Sequence, residues 1–414
     1  MVAQSALADT DEQRALRDTV RRLLRDRAPL AGLREAADAA GPAGGPAGSA
    51  GGSAGSAGGS AGPAGGAGPG FDGELWRQLA ELGLVALAVP EKYDGLGQTT
   101  LETHVVFEEM GRALYGGPYL ACVGLAVPAL LASGDDAACA ELLPGIAAGE
   151  TVATLAAVEA DGRWSTEHTA TRAERDGEQW RLTGAKAFVL AGADADLLLV
   201  TARTGDSDDV SLFAVATGAE GLCSAHTYAT GLTRTRLESL DLARAVAGVE
   251  LDGVPARLVG SVGAAPALLA AALHEGLAGL AAEQAGGAAA CLDMSVAYAK
   301  TRQQFGRPIG SFQSVAHKCV DMLHGVEFCR ASARYAAAAL AEGATDAREA
   351  ARVAAAYCGE AFRAITVETV HVHGGTGFTW EHDAHLYYRR AWSARHLLGT
   401  PTDHHTAIAD LVGL

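Results

Sequence analysis

Histidines and carboxylates that could bind a metal are concentrated near the C-terminus. His371 and His373 alternate, and His382 and His385 lie three residues apart with Glu381 beside them. Such spacings can supply ligands to zinc or iron, but a catalytic metal site also needs a carboxylate held in a fixed geometry. Nothing in the spacing requires these histidines to converge on one point, so we expect no metal site.

Two nearby segments combine basic, aromatic and glycine residues. Residues 298–313 read YAKTRQQFGRPIGSFQ, and residues 372–381 read VHGGTGFTWE. The guanidinium of Arg302 suits a diphosphate, and Gly374 and Gly375 permit close approach of a ligand to the backbone. A structural alternative exists for each feature. Arg302 would then be a cation at a helix C-terminus, and the glycines would cap a helix.

Composition and charge exclude several classes of protein. The chain has 414 residues, 49% of them hydrophobic, and a formal net charge of −17. Because no long block of consecutive Lys and Arg residues is present, we expect no nucleic-acid binding. The apolar runs fall short of the roughly 20 residues that span a bilayer, and the start of the chain does not resemble a signal peptide, so we expect a cytoplasmic protein outside the membrane. Seven dispersed cysteines indicate buried thiols rather than disulfides.

The hydrophobic spacing divides the chain into three domains. Residues 1–150 have helical periodicity, interrupted at 39–70 by a segment of only Ala, Gly, Ser and Pro that we predict to be a flexible linker. Short alternating runs in 151–260 predict an antiparallel β domain. Residues 261–414 contain three long helical patterns, at 264–302, 312–341 and 346–371, followed by a glycine break and further helix. The predicted fold class is mostly α with a small middle β domain.

The two motif segments, their spacing and the helix–sheet–helix order resemble the acyl-CoA dehydrogenase family. The resemblance implies an N-terminal helical domain, an antiparallel β-barrel-like domain and a C-terminal four-helix bundle. It also implies bound FAD and an electron-transfer partner. The implied assembly is a homotetramer or a related dimer of dimers, whose subunits are either identical or different. The implied reaction is α,β-dehydrogenation of an acyl thioester carried by CoA or a carrier protein, in which a base removes the α-proton and the β-hydride moves to flavin N5.

The resemblance also assigns residues to the cofactor. Arg302 would face the FAD pyrophosphate of a neighbouring subunit, and Phe188 would stack on the isoalloxazine ring. His371 stands where relatives have a glutamine. The full set of implied cofactor-binding residues is Phe188, Arg302, Gln304, Phe305, Ile309, Phe312, His371, Gly374 and Gly375.

The catalytic base departs from the family pattern. The family's usual glutamate falls on Leu398, whose backbone N–H could still polarise a thioester carbonyl. Some members place the base on the first long C-terminal helix, at a position that falls on or near Gly276. Its neighbour Glu275 is therefore the candidate base, and Glu283 is a second candidate. The alternative for Glu275 is a solvent-facing carboxylate, since adjacent side chains on a helix point about 100° apart.

Other departures leave three functions open. Leu190 replaces a threonine that lies beside the flavin in relatives, and residues 158–164 replace a loop of Thr-Glu-Pro-Gly type. The first function is FAD-dependent dehydrogenation of an acyl thioester. The second is a partner subunit that lacks its own base and completes the FAD site of a paralogue. The third is a flavin-dependent monooxygenase on the same fold.

The arginines of residues 233–236 either attract a CoA or carrier phosphate or lie on an exposed strand edge.

Overall fold

The computed structural model describes residues 2–39, 71–177, 179–205, 208–217 and 230–414. The predicted linker at 39–70 lies outside the described residues, apart from residue 39 at the end of a helix. Along the described chain, a helical region is followed by a sheet and then by a second helical region, in the predicted order.

The first region is built from helices, several of which begin at a polar capping side chain. Its helices are α1 (Asp11–Arg27), α2 (Leu30–Ala39), α3 (Gly73–Glu81), α4 (Thr100–Arg112), α5 (Tyr119–Ala121), α6 (Val127–Ala132) and α7 (Asp136–Ala147). Thr10 and Gln13 form a reciprocal capping box at the start of α1, and Thr99 and Glu102 form another at the start of α4. These side chains bond backbone N–H groups that a helix leaves unpaired. A π-helical stretch, Cys122–Ala126, joins α5 to α6.

The middle region is a seven-stranded sheet that closes on itself. Its strands are β1 (Ala153–Ala156), β2 (Arg172–Asp176), β3 (Gln179–Leu190), β4 (Leu197–Thr204), β5 (Val210–Ala216), β6 (Leu232–Arg236) and β7 (Val246–Val259). The order is β1-β4-β2-β3-β7-β5, β5 also pairs with β4, and β6 pairs with β7. The pairings are antiparallel as predicted, except that β1 and β2 each run parallel to β4. Alternating hydrophobicity determines which face a residue occupies, but it does not determine which strand lies beside it.

The last region is a bundle around one long helix. Its helices are α8 (Ala265–Thr301), α9 (Gln313–Ala341), α10 (Ala347–His373), α11 (Ala384–Ala394) and α12 (Pro401–Leu411), with a two-stranded hairpin of β8 (Gln303–Gln304) and β9 (Arg307–Pro308) between α8 and α9. By length and composition, α8 could cross a membrane, but 67% of its apolar window is buried inside the protein. Packing at the centre of the bundle therefore accounts for its apolar character.

Helices α4 and α8 cross with their backbones in direct contact. A Cβ atom at Gly111 of α4 would collide with the carbonyl oxygen of Glu283, and a Cβ atom at Gly286 of α8 would collide with the carbonyl oxygen of Glu108. Only glycine permits this approach. The crossing holds the first helical region against the bundle and brings the start of α4 beside the first turns of α8.

Candidate active site

Phe188 projects from a β-bulge near the end of β3. The pairing of β3 with β7 shifts its register between Lys186 and Val189. Phe188 has a φ of 54°, a left-handed conformation that is strained for an aromatic residue, and its side chain is 51% exposed. The neighbouring Leu190 is buried, and its carbonyl oxygen accepts a hydrogen bond from Thr154 at 2.6 Å. The bulge thus leaves an aromatic ring half-exposed at the surface of the sheet.

The segment after α8 forms an exposed hairpin that gathers most of the predicted cofactor residues. Phe305 and Gly306 make its two-residue turn, with φ angles of 53° and 78°. The Phe305 side chain is 91% exposed and meets Phe312 edge to face, with ring centroids 6.0 Å apart. Arg302 and Gln304 are also exposed, and the Arg302 backbone N–H donates to Tyr298. Ile309 follows at the start of a 3-10 turn. Arg302, Gln304 and Phe305 are therefore accessible to a ligand or a second subunit, whereas Ile309 and Phe312 are half-buried.

The second motif segment lies beside the first. Helix α10 ends at His373, and Gly374 follows with a φ of 61°, so the predicted helix cap is present. A Cβ at Gly375 would meet nothing within 4 Å, which leaves open space against its backbone. The rings of Tyr298 and His373 are 4.5 Å apart and join the two segments. Both structural and ligand-binding interpretations of the glycines are therefore compatible with the backbone.

The histidines do not converge on a metal site within the described residues. His373 is buried, and its Nδ1 lies 2.8 Å from the carbonyl oxygen of Thr369. The His382 ring packs against His373 at a tilt of 53°, whereas His385 stacks on Trp380. Burial is the main cause that lowers the pKa of His373, His382 and His385. His371 points outward and contacts Glu368, so aromatic packing and local hydrogen bonds account for the group.

Apolar side chains fill the places where relatives carry the base. Leu398 is 2% exposed and has a φ of 59°. A Cβ at Gly276 would lie 2.6 Å from the Leu125 Cδ2 atom and 3.0 Å from the Leu398 Cδ1 atom. A longer side chain at position 276 would therefore require both leucines to move. Neither position offers a carboxylate, as the sequence indicates.

Glu275 points to a different neighbour from Gly276. Its two carboxylate oxygens lie 3.0 and 3.3 Å from the hydroxyl oxygen of Thr100, at the start of α4. Burial raises the pKa of Glu275, and the hydrogen bond from Thr100 partly opposes that shift. A single hydroxyl can donate only one proton, so most of the acceptor capacity of this largely enclosed carboxylate remains unused. Glu275 is thus half-buried and turned toward α4, which disfavours the solvent-facing alternative.

Glu275 lines a cavity of about 580 Å³ between α4, α6, α8 and the loop that joins α9 to α10. One wall is apolar and consists of Phe107, Val123, Val127, Leu131 and Leu340. Gly124 also lines the cavity, and a Cβ placed on it would lie 3.9 Å from the Cα atom of Gly276. The cavity therefore reaches the neighbourhood of the usual base positions. His274 also lines the cavity, and burial, Arg352 and Arg348 lower its pKa to about 4.

Glu283 cannot serve as the base, because ion pairs engage it. It belongs to a buried four-charge cluster, which consists of Asp241, Arg244, Glu283 and Arg390. Its oxygens lie 2.6 Å from Arg244 and 2.8 Å from Arg390. Arg390 also pairs with Asp241 at 2.5 Å. The second base candidate is therefore wrong, and its role is to join the bundle to the segment before β7.

Arg234 and Arg236 of β6 turn back onto the protein. Arg234 donates to the carbonyl oxygen of Ala195 at 2.8 Å, and Arg236 pairs with Asp194 at 2.7 Å. Both arginines therefore have partners that do not belong to a ligand. These contacts favour the structural interpretation of the segment over a phosphate site.

The domain models of one family match most of the chain. They describe the acyl-CoA dehydrogenase N-terminal domain at residues 66–150, the middle domain at 154–244 and the C-terminal domain at 267–411. The chain belongs to the acyl-CoA dehydrogenase family. This membership confirms the predicted fold class and the predicted enzyme class, a flavoprotein oxidoreductase, and it supports FAD-dependent dehydrogenation of an acyl thioester as the activity.

Individual acyl-CoA dehydrogenases resemble the chain over most of its length. Acyl-CoA dehydrogenase IpdE2 of Mycolicibacterium smegmatis is 33% identical over 335 residues, which cover 81% of this chain and 86% of the relative. A chain of the ChsE4-ChsE5 complex from Mycobacterium tuberculosis is 27% identical with a TM-score of 0.78, covering 99% of both chains. A glutaryl-CoA dehydrogenase from Mycobacterium smegmatis in complex with FADH2 shares the fold, with 21% identity, a TM-score of 0.82 and coverage of 99% and 96%.

Three features of this acyl-CoA dehydrogenase site have no signal in the linear sequence. Thr100 contacts Glu275 across 175 positions of the chain, and Lys186 contacts Glu159 across 27. The pairing of Arg390 with Glu283 spans 107 positions. Sequence motifs mark the residues that are predicted to face the cofactor, but contacts between distant residues become visible only when the helices and strands are packed.

Proposed function

We propose that this chain catalyses α,β-dehydrogenation of an acyl thioester with bound FAD, and that Glu275 removes the α-proton. The observation that supports this assignment is that Glu275 is the one carboxylate among the described residues lining the 580 Å³ cavity. The cavity is lined by Gly124, which packs beside Gly276, and its apolar lining suits an acyl chain.

The residues that would hold FAD have the exposure and chemistry that the cofactor requires. Phe188 offers a half-exposed ring for stacking, and Phe305 and Phe312 offer an aromatic surface for the adenosine part. Arg302 is exposed and has no carboxylate within ion-pair distance among the described residues, so its guanidinium is available to a diphosphate. Open space at Gly375 allows backbone contact. Phe188 lies on the sheet and the others on the bundle, which agrees with a site completed by a neighbouring subunit in a homo- or hetero-oligomer.

Two groups of this chain would act in the reaction, one removing the α-proton and the other polarising the thioester carbonyl. FAD, when bound, supplies the acceptor for the β-hydride. The raised pKa of Glu275 makes it a stronger base than an ordinary carboxylate. Thr100 orients the carboxylate toward the cavity. The backbone N–H of Leu398 is our candidate donor to the thioester carbonyl, which acidifies the α-carbon.

An anaerobic titration with a panel of acyl-CoAs tests the base assignment. We expect the flavin of the parent protein to bleach, and Glu275→Gln to slow bleaching by about 100-fold or more while FAD stays bound. Asp293→Asn is the matched control, because it makes the same change on the exposed face of α8. Full activity in Glu275→Gln would exclude Glu275 as the base.

A second candidate is a partner subunit without its own base. The packing of Leu125 and Leu398 against Gly276 favours it, because this apolar contact closes the usual base position. In that case, the chain expressed alone would bind FAD without bleaching, and Leu398→Glu would confer bleaching. Bleaching of the parent protein that depends on Glu275 would contradict this candidate. No feature of the described part of the chain favours the monooxygenase.

A further inference from the structure

Lys186 is a buried lysine of β3, two residues before Phe188, and its side chain has no solvent exposure. Its ammonium lies 2.7 Å from Glu159 Oε1, 3.2 Å from the Thr201 hydroxyl and 3.4 Å from the Ala157 carbonyl oxygen. Removing an ammonium from water is costly unless it is paired and hydrogen-bonded. These contacts cross from β3 to β4 and to the segment after β1, so the lysine ties three chain segments together.

The carboxylate that pairs with Lys186 also closes a loop. Glu159 Oε2 accepts a hydrogen bond from the Ala170 N–H at 2.8 Å, and Oε1 accepts from the Thr171 N–H at 3.0 Å and its hydroxyl at 2.8 Å. We call Glu159, Ala170 and Thr171 the loop neck. It joins the two ends of the loop formed by residues 160–170, so the position of that loop depends on the position of one carboxylate.

The other side of the loop neck is attached to the bulge. The Ala187 N–H donates to the Val158 carbonyl oxygen at 2.8 Å, one residue before Glu159. Ala187 lies between Lys186 and Phe188, within the stretch where β3 loses register with β7. Two adjacent residues of the bulge therefore hold two adjacent residues at the start of the loop, one through a side chain and one through the backbone.

We propose that Lys186 is a positioning residue, whose contact with Glu159 holds the 160–170 loop and the bulge bearing Phe188 in one fixed arrangement. The proposal rests on the proposed function in one respect, namely that Phe188 contacts the flavin. Phe188 occupies a strained backbone conformation, which persists only where surrounding contacts impose it. Without the ammonium, the loop neck keeps its backbone contacts, including the hydrogen bond from Ala187 to Val158, but loses its side-chain link to Lys186 and, through Lys186, to Thr201 of β4. The ring is then no longer held at one angle to the flavin.

Two variants and one control separate positioning from general stability. Lys186→Met removes the ammonium while keeping an unbranched apolar side chain, and Glu159→Gln removes the opposite charge. Arg181→Met is the control, because Arg181 lies on the same strand and forms an exposed ion pair with Asp176. If Lys186→Met fails to fold, Thr201→Val removes one partner of the ammonium without leaving a buried charge unpaired.

Hydrogen exchange of the flavin-free protein gives the first readout. We expect faster exchange of the Ala170, Thr171 and Ala187 amides in Lys186→Met and Glu159→Gln, and unchanged exchange in Arg181→Met. Unchanged exchange in all three variants would overturn the proposal. Because this measurement needs no cofactor, it remains decisive if the protein does not bind FAD, a result that would contradict the proposed function alone.

FAD binding and the visible spectrum give the second readout. Losing a charged hydrogen bond that orders the site should raise the FAD dissociation constant by about tenfold in either variant, with a shift of the flavin absorption bands. The double variant, Lys186→Met with Glu159→Gln, should bind FAD no more weakly than the single variant that binds it less tightly. The reason is that both substitutions remove the same interaction. An FAD dissociation constant and spectrum equal to those of the parent protein in Lys186→Met would show that the ion pair stabilises the fold without positioning the ring.

Discussion

The four-charge cluster predicts a large and specific loss of stability when Glu283 is neutralised. Two arginines and two carboxylates balance each other at a site where Glu283 is 5% exposed. Glu283→Gln keeps the shape of the side chain but leaves Arg244 and Arg390 facing a single negative charge, that of Asp241. Among the described residues, Arg244 Nη1 already lacks a hydrogen-bond partner, so the cluster has no spare acceptor to compensate.

The size of the loss can be worked out from the burial of the pair. Removing one partner of a buried ion pair destabilises a protein by about 3–5 kcal/mol, because a charge is left uncompensated. With an unfolding entropy of about 2.1 cal/mol/K per residue and 414 residues, that corresponds to a fall in Tm of about 3–6 °C. The double variant Glu283→Leu with Arg244→Met removes one charge of each sign. It should recover more than half of the loss, since Asp241 and Arg390 still pair.

Calorimetry of the purified variants checks this prediction, with urea unfolding as a second measurement. Glu74→Gln is the control, because Glu74 forms an exposed pair with Arg77 and its removal should leave Tm unchanged. If Glu283→Gln melts within about 1 °C of the parent protein, the cluster does not hold the bundle to the segment before β7, and our account of Glu283 is wrong. A double variant that is less stable than Glu283→Gln would also refute the charge-balance argument.

Two further predictions concern the cofactor hairpin and the buried lysine. Phe305→Asn should weaken FAD binding by about 2- to 10-fold, as expected for loss of one stacked ring, and should leave Tm unchanged because Asn tolerates the positive φ of this turn. Equilibrium titration and calorimetry measure the two effects. Burial lowers the pKa of Lys186 to about 8, below its value in an unfolded chain, so unfolding takes up a proton between about pH 8 and pH 10. The free energy of unfolding of the parent protein, relative to Lys186→Met, should therefore rise with pH in that window by up to about 1.4 kcal/mol per unit, as pH-dependent urea unfolding would show.

The helices and the cofactor hairpin are the features that the sequence predicts best. The long helical pattern at 312–341 corresponds to α9, Gln313–Ala341, and the pattern at 264–302 corresponds to α8, Ala265–Thr301. Both follow from local hydrophobic spacing and from the glycine and proline residues that end it. Phe305, Gly306 and Arg307 are contiguous, so a motif contains the whole hairpin. The parallel pairing of β1 with β4 has no comparable signal, because it joins residues 44 positions apart, such as Ala153 and Leu197.

The position of the candidate base shows that a displacement of one residue along a helix changes the neighbours that a side chain contacts. Position 276 points to Leu125 and Leu398, whereas position 275 points to Thr100 on another helix. A carboxylate that acts from position 275 must therefore reach its substrate from the side of α4. The α-carbon of the acyl group then has to lie within reach of Glu275, in the cavity that this residue lines. Two unusual features of the site are therefore connected. Leu398 packs against the face of α8 that carries Gly276, which closes the approach of a substrate from that side. The cavity beside Glu275 provides an approach from the other side.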